Sequence, residues 1–351
     1  MKLRAALAEL SAYTPPRVVP ATKLDANESP WPLPAEVRTR IASVLAELPL
    51  HRYPDARAEG LRTALASHLG CDADELVLGT GSDEIISILY TALGSGSVVV
   101  PAPTFVMYRV SALTHGLSPV EVPLTEDWSL DVDAMKQALA ARPAIVFYAR
   151  PNNPTGAVIP ENVLRDLITF SPDTLHIIDE AYVAFHRDTP GDAPGSLGTW
   201  CTQHENVAVM GTLSKIGLAG LRVGWLRAAP SLAAELDKVR QPFNLNLLAQ
   251  EAARVILAEF PHVIGEQIRA IVKERELLRD SLDAHPAIRH VWPSRANFLL
   301  VQTVDDASAV AHRLREKNVG VRAFRDERLA QLLRVTVGTP AERELLLSAL
   351  S

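Results

Sequence analysis

One lysine, Lys215, stands among small residues in GTLSKIGLAGLRVGW (211–225), directly after the apolar run VAVM. A strongly hydrated cation at the end of a buried strand has two chemical uses. It could hold a nucleotide phosphate, but that loop requires G-x-x-x-x-G-K-[ST]. Here Ser214 precedes the lysine and no glycine stands directly before it, so that reading fails on order. A lysine so placed can instead form a Schiff base with a carbonyl cofactor. Two further polar clusters close apolar runs in the same way: PNNPTG (151–156) after AIVFYAR, and Asp179-Glu180-Ala181-Tyr182 after LHII. Ligands of open α/β sheets bind at the carboxyl ends of strands, so the three clusters could face one crevice. Taken singly, each has a plainer reading. PNNPTG is a turn sequence, a strand-end Asp can cap a helix or bind a metal, and Lys215 could be an exposed charge. Arg334, within LLRVTVG, could pair with a core carboxylate.

The elements that must position these residues follow from apolar periodicity. ARAEGLRTALASHLG reads as an amphipathic helix, ELVLG as a strand, and SDEIISILYTAL as a helix with Ser82 as its N-cap. SVVVPAP, AIVFYAR, LHIIDE, VAVMGT and RVGWL are runs of strand length, and DVDAMKQALAAR and ENVLRDLITF are helices. Buried strands with intervening helices predict an α/β fold with a mainly parallel central sheet covered on both faces. Helical patterns dominate 231–283, after which ANFLLVQT, VGVRAF and LLRVTVG read as strands, with helices at about 306–317 and 340–350. The Pro-rich start, with a short helical pattern near 35–47, reads as an extended arm. The expected layout is an N-terminal arm over 1–49, which joins the small unit, a large α/β domain over 50–245, and a small α+β domain over 246–351.

Composition narrows the partners. The 351 residues carry a formal net charge of -6, and basic residues are scattered, which argues against nucleic acid or an anionic membrane surface. Cys71 and Cys201 lack metal-ligand spacing and suit a reducing compartment. The first residues hold no sustained apolar run and no stretch is long enough to span a bilayer, so the expectation is a cytoplasmic protein without metal.

Taken together, LDANESP (24–30), HRYPD (51–55), GSDE (81–84), PTFVMY (103–108), PNNPTG (151–156), DEAY (179–182), TLSK (212–215) and LRVTVGT (333–339) resemble the fold-type I, pyridoxal 5'-phosphate (PLP)-dependent aminotransferases of class II. The arm, RYPD and PTFVMY point to their histidinol-phosphate branch. The resemblance covers nearly the whole chain, in motif order. It implies transamination between histidinol phosphate or imidazole-acetol phosphate and glutamate or 2-oxoglutarate, in histidine synthesis, by a homodimer. Aromatic amino-acid aminotransferases, and decarboxylases or lyases such as those acting on phosphothreonine, share these motifs, because the bond broken depends on substrate geometry. A DNA-binding regulator on the same scaffold would need a helix-turn-helix and a basic patch, and the sequence has neither.

The resemblance also implies roles. Lys215 would hold the cofactor and shuttle the proton, while Asp179 would keep the pyridine nitrogen protonated. Tyr182 and Asn153 would donate to the phenolate oxygen, and Phe105 would stack on the ring, where many relatives have Tyr. The phosphate would lie on Gly81, Ser82 and Asp83 at a helix start, with Thr212, Ser214 and Arg222, and with Tyr53 of the neighbouring subunit. Asp83 would contribute its backbone N–H or cap the helix. Arg334 and Arg325 would bind substrate anions, with Tyr13 and Asn27 closing over them. Three features depart from the family pattern. Lys215 and Arg222 are seven residues apart, one fewer than is common. VRAFRDE is one residue longer, so Arg322 competes with Arg325, and SPWPLP replaces an Asn-Pro-Tyr-Gly pattern.

Overall fold

The computed structural model describes Leu10 and residues 20–186 and 195–351. Within them twelve strands form two sheets. They are β1 (Thr22–Leu24), β2 (Leu76–Thr80), β3 (Ser97–Ala102), β4 (Ser118–Pro123), β5 (Ile145–Ala149), β6 (Leu175–Asp179), β7 (Val207–Thr212), β8 (Val223–Arg227), β9 (Ile288–Val291), β10 (Phe298–Thr303), β11 (Val319–Ala323) and β12 (Leu332–Thr336).

The larger sheet has the order β2-β8-β7-β6-β5-β3-β4. Its pairs are parallel except where β8 lies antiparallel between β2 and β7. Alternate side chains enter opposite layers, as the pleat requires. Val98, Val100 and Phe147 join a core with Ile85, Leu89 and Tyr108 of the helices Gly81–Leu93 and Met107–His115. Val99, Val146 and Tyr148 pack on the other side against Met135, Leu164 and Leu167 of the helices Val132–Ala140 and Glu161–Phe170. Burying each such aliphatic side chain contributes about 1.5–3 kcal/mol, which is why these runs are almost uninterruptedly apolar. The chain leaves β3 for β4 on one side and returns to β5 on the other. The sheet's switch point, where ligands bind, therefore lies between the ends of β3 and β5.

The smaller sheet has the order β1-β11-β12-β10-β9. The arm strand β1 adds in parallel to β11, pairing Thr22 with Val319. The core beneath it runs through the helices Leu247–Glu259 and Pro261–Asp283 to Leu213 and Tyr182 of the larger sheet's loops. Arg275, 1% exposed, fixes this junction by donating from Nη1 to the Phe185 carbonyl at 3.1 Å and the Ala296 carbonyl at 3.0 Å.

The structure corrects some local readings. Ser82 is the second residue of its helix, not its cap. The N-cap is Thr80, whose backbone N–H is held by Glu84 Oε2 at 2.5 Å. β4 was not expected, because SPVEVP exposes most of its residues and carries two prolines, which an edge strand tolerates. β1 and β9, three and four residues long, gave no periodic signal.

Candidate active site

Asp179 ends β6 at the centre of the larger sheet and is 5% exposed. Its Oδ1 accepts from the Ala181 backbone N–H at 2.9 Å and its Oδ2 from the Tyr108 hydroxyl at 2.5 Å. Burial pushes its pKa above the ordinary carboxylate value, against the two hydrogen bonds and the nearby charge of Lys215, which favour the anion. Burial, and then Asp179 itself, hold the Tyr108 phenol well above its usual pKa, so it stays a proton donor. Tyr108 is a direct partner of Asp179 that sequence reasoning uses only as a branch marker in PTFVMY. Its ring stacks on Phe147 at 4.6 Å and meets Phe105 edge-on at 5.5 Å, which locks the phenol against the carboxylate.

Lys215 leaves β7 on a 3-10 turn, Leu213–Ile216, with Nζ 5.8 Å from the centre of the Tyr182 ring. Tyr182 packs edge-on against Phe298 at 5.2 Å, and its Oη accepts from Asn27 Nδ2 at 2.9 Å. From β12, Arg334 donates through Nη1 to Asn153 Oδ1 and through Nη2 to the Asp25 carbonyl, both at 2.6 Å. Its Nε is buried with no hydrogen-bond partner among the described residues. Burial lowers the Arg334 pKa; Tyr182 opposes this and Arg322 adds to it. The guanidinium thus has a buried donor to spare, a ready anchor for an anion.

Further groups that favour an anion gather where β7, β8 and the helix Gly81–Leu93 meet. The helix's free first-turn N–H groups and its dipole favour negative charge. Gly81 has φ +75°, and a Cβ there would lie 2.5 Å from Arg222 Nη2. Ser214 Oγ accepts from Arg222 Nη1 at 3.3 Å, which leaves the serine's own proton for another acceptor. Thr212 Oγ1 lies 3.0 Å from the Val223 carbonyl and 2.9 Å from Ser214 Oγ, and it accepts the Ser214 backbone N–H at 3.1 Å. Its hydroxyl shapes the turn rather than pointing outward. The Asp83 side chain does not cap the helix: Oδ2 accepts from Arg222 Nη2 at 3.3 Å, and Oδ1 is buried without a hydrogen-bond partner among the described residues.

Residues 19–350 match the family described as aminotransferase class I and II. The chain belongs to that family. Among its curated relatives, this aminotransferase is 41% identical over 355 residues to histidinol-phosphate aminotransferase 2 of Nitrosococcus oceani, covering 99% of this chain and 96% of the relative. It is 38% identical over 354 residues to the histidinol-phosphate aminotransferase of Chromobacterium violaceum, again covering 99% and 96%. Among solved structures it resembles histidinol-phosphate aminotransferase from Sinorhizobium meliloti in complex with pyridoxal 5'-phosphate. The TM-score is 0.87 and the identity 25%, over 99% of this chain and 96% of that one.

Most residues singled out from the sequence of this aminotransferase converge. Lys215 stands near the Tyr182 ring and its charge acts on Asp179; Asn27 bonds to Tyr182, and Asn153 bonds to Arg334 of β12; Gly81, Asp83 and Ser214 gather around the Arg222 guanidinium, with Ser82 beside Gly224. Phe105 follows β3 at the switch point, half-buried beside Tyr108. Two residues lie apart. Tyr53 is 82% exposed and stacks on Phe243 at 4.8 Å. Arg325 is exposed beyond the end of β11, whereas Arg322 pairs directly with Arg334 in the β11–β12 register. Tyr13 lies outside the described residues. No helix among the described residues is long and apolar enough to cross a membrane, and no cluster of three metal-ligating side chains occurs among them.

Proposed function

We propose that the chain is a PLP-dependent transaminase that moves an amino group between histidinol phosphate or imidazole-acetol phosphate and glutamate or 2-oxoglutarate. The observation that carries this reading is that Lys215 acts electrostatically on the buried Asp179 carboxyl and directly follows Ser214, which bonds to Arg222 beside a helix start. The donor set fits the cofactor: Arg222 offers a forked cation beside the free N–H groups of the helix start, and glycines at 81 and 224 let the two approach without a side chain between them. The names of relatives near 40% identity support the substrate pair.

When bound, pyridoxal 5'-phosphate supplies an aldehyde that condenses with amines and a ring that draws electrons from the adjoining carbon. The chain's own residues do the rest. Lys215 Nζ would hold the cofactor at its aldehyde and would carry the proton to and from the substrate carbon. Asp179 holds a proton on the ring nitrogen, and that positive nitrogen relieves the cost of burying the carboxylate. Tyr182 Oη and Asn153 Nδ2 donate to the ring oxygen, the Asn153 Oδ1 end being taken by Arg334. Phe105 would offer its aromatic surface to the ring. Arg334, with its spare Nε, binds either the glutamate carboxylate or the phosphate of the amino alcohol. We place the enzyme in the cytoplasm as a homodimer in which the exposed Tyr53 reaches the neighbouring subunit's cofactor phosphate.

The test is an absorbance titration of the PLP-loaded protein with histidinol phosphate and no keto acid. Conversion of the visible band to the pyridoxamine form, at concentrations well below those needed with phenylalanine or tyrosine, is the expected result. A band that responds only to another amine overturns the substrate, and absence of any band after PLP is added overturns the role of Lys215.

A further inference from the structure

Asn27 was expected to close over substrate, yet it is 1% exposed and sits in a closed hydrogen-bond ring. Its backbone, at φ +55°, puts main chain and side chain against the same partner on β12. The Asn27 N–H donates to Thr336 Oγ1 at 3.0 Å, and the Thr336 hydroxyl donates to Asn27 Oδ1 at 3.1 Å. Asn297 Nδ2 fastens the Asn27 carbonyl at 3.0 Å. The remaining end of the side-chain amide, Nδ2, donates to Tyr182 Oη at 2.9 Å.

We propose that Thr336 is a positioning residue: by fixing which way round the Asn27 amide lies, it aims the Tyr182 proton into the cofactor pocket. The two ends of an amide are nearly the same shape, so its partners decide its orientation. The Thr336 oxygen already accepts the Asn27 backbone N–H, and its own proton needs an acceptor, which only Oδ1 provides within the ring. The opposite orientation would set a second donor against Oγ1 and strand the threonine proton. It would also turn Oδ1 toward Tyr182, where it would take the phenol's single proton. With Thr336 in place, Tyr182 receives a hydrogen bond from Asn27 and keeps its proton to give. A phenol that accepts one hydrogen bond donates the next more strongly. Thr336 is itself 1% exposed, so water does not substitute for it.

This inference rests on the reading that Tyr182 donates to the cofactor's ring oxygen. The measurement is the pH midpoint of the visible absorbance of the PLP-loaded protein. Donation to the ring oxygen stabilises its anion, so a lost donation raises the midpoint. Thr336→Val is expected to raise it by about half to one pH unit, the worth of one hydrogen bond. Thr336→Ser, which restores the hydroxyl, is expected to keep the wild-type midpoint, and Tyr182→Phe sets the shift for complete loss of the donor. If Thr336→Val does not fold, Thr336→Cys decides: its weak S–H donor should give a smaller upward shift. An unshifted midpoint in the folded valine or cysteine variant, with Tyr182→Phe shifted, overturns the role of Thr336 and leaves the reading of Tyr182 standing. No shift in Tyr182→Phe overturns both.

Discussion

Gly224 and Gly81 approach without room for a side chain between them: a Cβ on Gly224 would lie 2.4 Å from the Gly81 carbonyl carbon and 2.6 Å from the Ser82 nitrogen. The second residue of β8 therefore sets where the first-turn N–H groups of the helix stand relative to Arg222 and Ser214.

Gly224→Ala must push the helix start away from β8. Overpacking of this kind costs about 1–3 kcal/mol of stability. Cofactor binding should suffer as well, because the donors no longer converge; a tenfold loss corresponds to about 1.4 kcal/mol. Thermal unfolding of the apoprotein and a PLP titration measure the two effects separately. Unchanged PLP affinity would show that cofactor binding does not depend on this contact.

Tyr108→Phe removes the only side-chain hydrogen bond to Asp179 seen among the described residues. Burial already raises that carboxyl, and the lost bond raises it further. The working form is the carboxylate, so activity falls as pH drops through this pKa, and the variant's acid limb should move to higher pH. A drop in kcat on the order of tenfold is expected for one hydrogen bond to a charged group. A kcat–pH profile of the variant checks both, and an unmoved acid limb counts against the coupling.

The register of β11 and β12 sets Arg322 beside Arg334. Two guanidinium groups so placed repel each other until an anion joins them; burial lowers the Arg334 pKa, and Arg322 adds a smaller push the same way. Arg322→Ala should therefore raise KM for the phosphorylated substrate by about tenfold, the equivalent of roughly 1.4 kcal/mol. Arg325→Ala should stay close to wild type. Steady-state kinetics of the two variants decide which arginine serves, and the opposite ranking would restore Arg325.

Glu180 and His176 give a pH signature unrelated to catalysis. Burial raises the Glu180 carboxyl to about 7, against hydrogen bonds from Ser196 and the Leu197 N–H. Its contribution is full below the unfolded carboxyl value and is lost as pH rises toward 7. Burial lowers His176 to about 4, so its contribution is present at neutral pH and is lost as pH falls from 6.5. Between about pH 4.5 and 6.5 the two slopes oppose each other, each at most about 1.4 kcal/mol per pH unit. Glu180→Gln should uncover the histidine slope, making the protein gain stability with rising pH across that window. Denaturant midpoints at several pH values test this, and a flat profile in the variant refutes the pairing.

Much of the larger sheet was legible because buried parallel strands are written as unbroken apolar runs, and polar residues at their ends mark the crevice. Asp179, Lys215 and Asn153 stand out for that reason. Tyr108 did not, because an aromatic inside a helix looks like core until the carboxylate it touches is located. The antiparallel course of β8 was also hidden, since VGWLR reads the same in either direction. Thr336 lies a sheet away from Tyr182, and its link through Asn27 joins positions 309 residues apart in sequence. Arg325 was favoured over Arg322 by its place in FRDE, whereas strand pairing favours the earlier arginine.

The hairpin that carries Lys215 and Arg222 is clamped at its base, where Thr212 pairs with Gly224 and Val223 with Thr80. Everything from 213 to 222 lies outside the ladder, in two short 3-10 turns hinged at Gly217, whose φ is +101°. The lysine is held from the β7 side and the arginine from the β8 side, while Ile216 and Leu218 between them are buried in the core that joins the two sheets. For an engineer, a change of length in that span would leave the strand register alone, but it must keep Ile216 and Leu218 seated in that core if both cations are to stay where they stand.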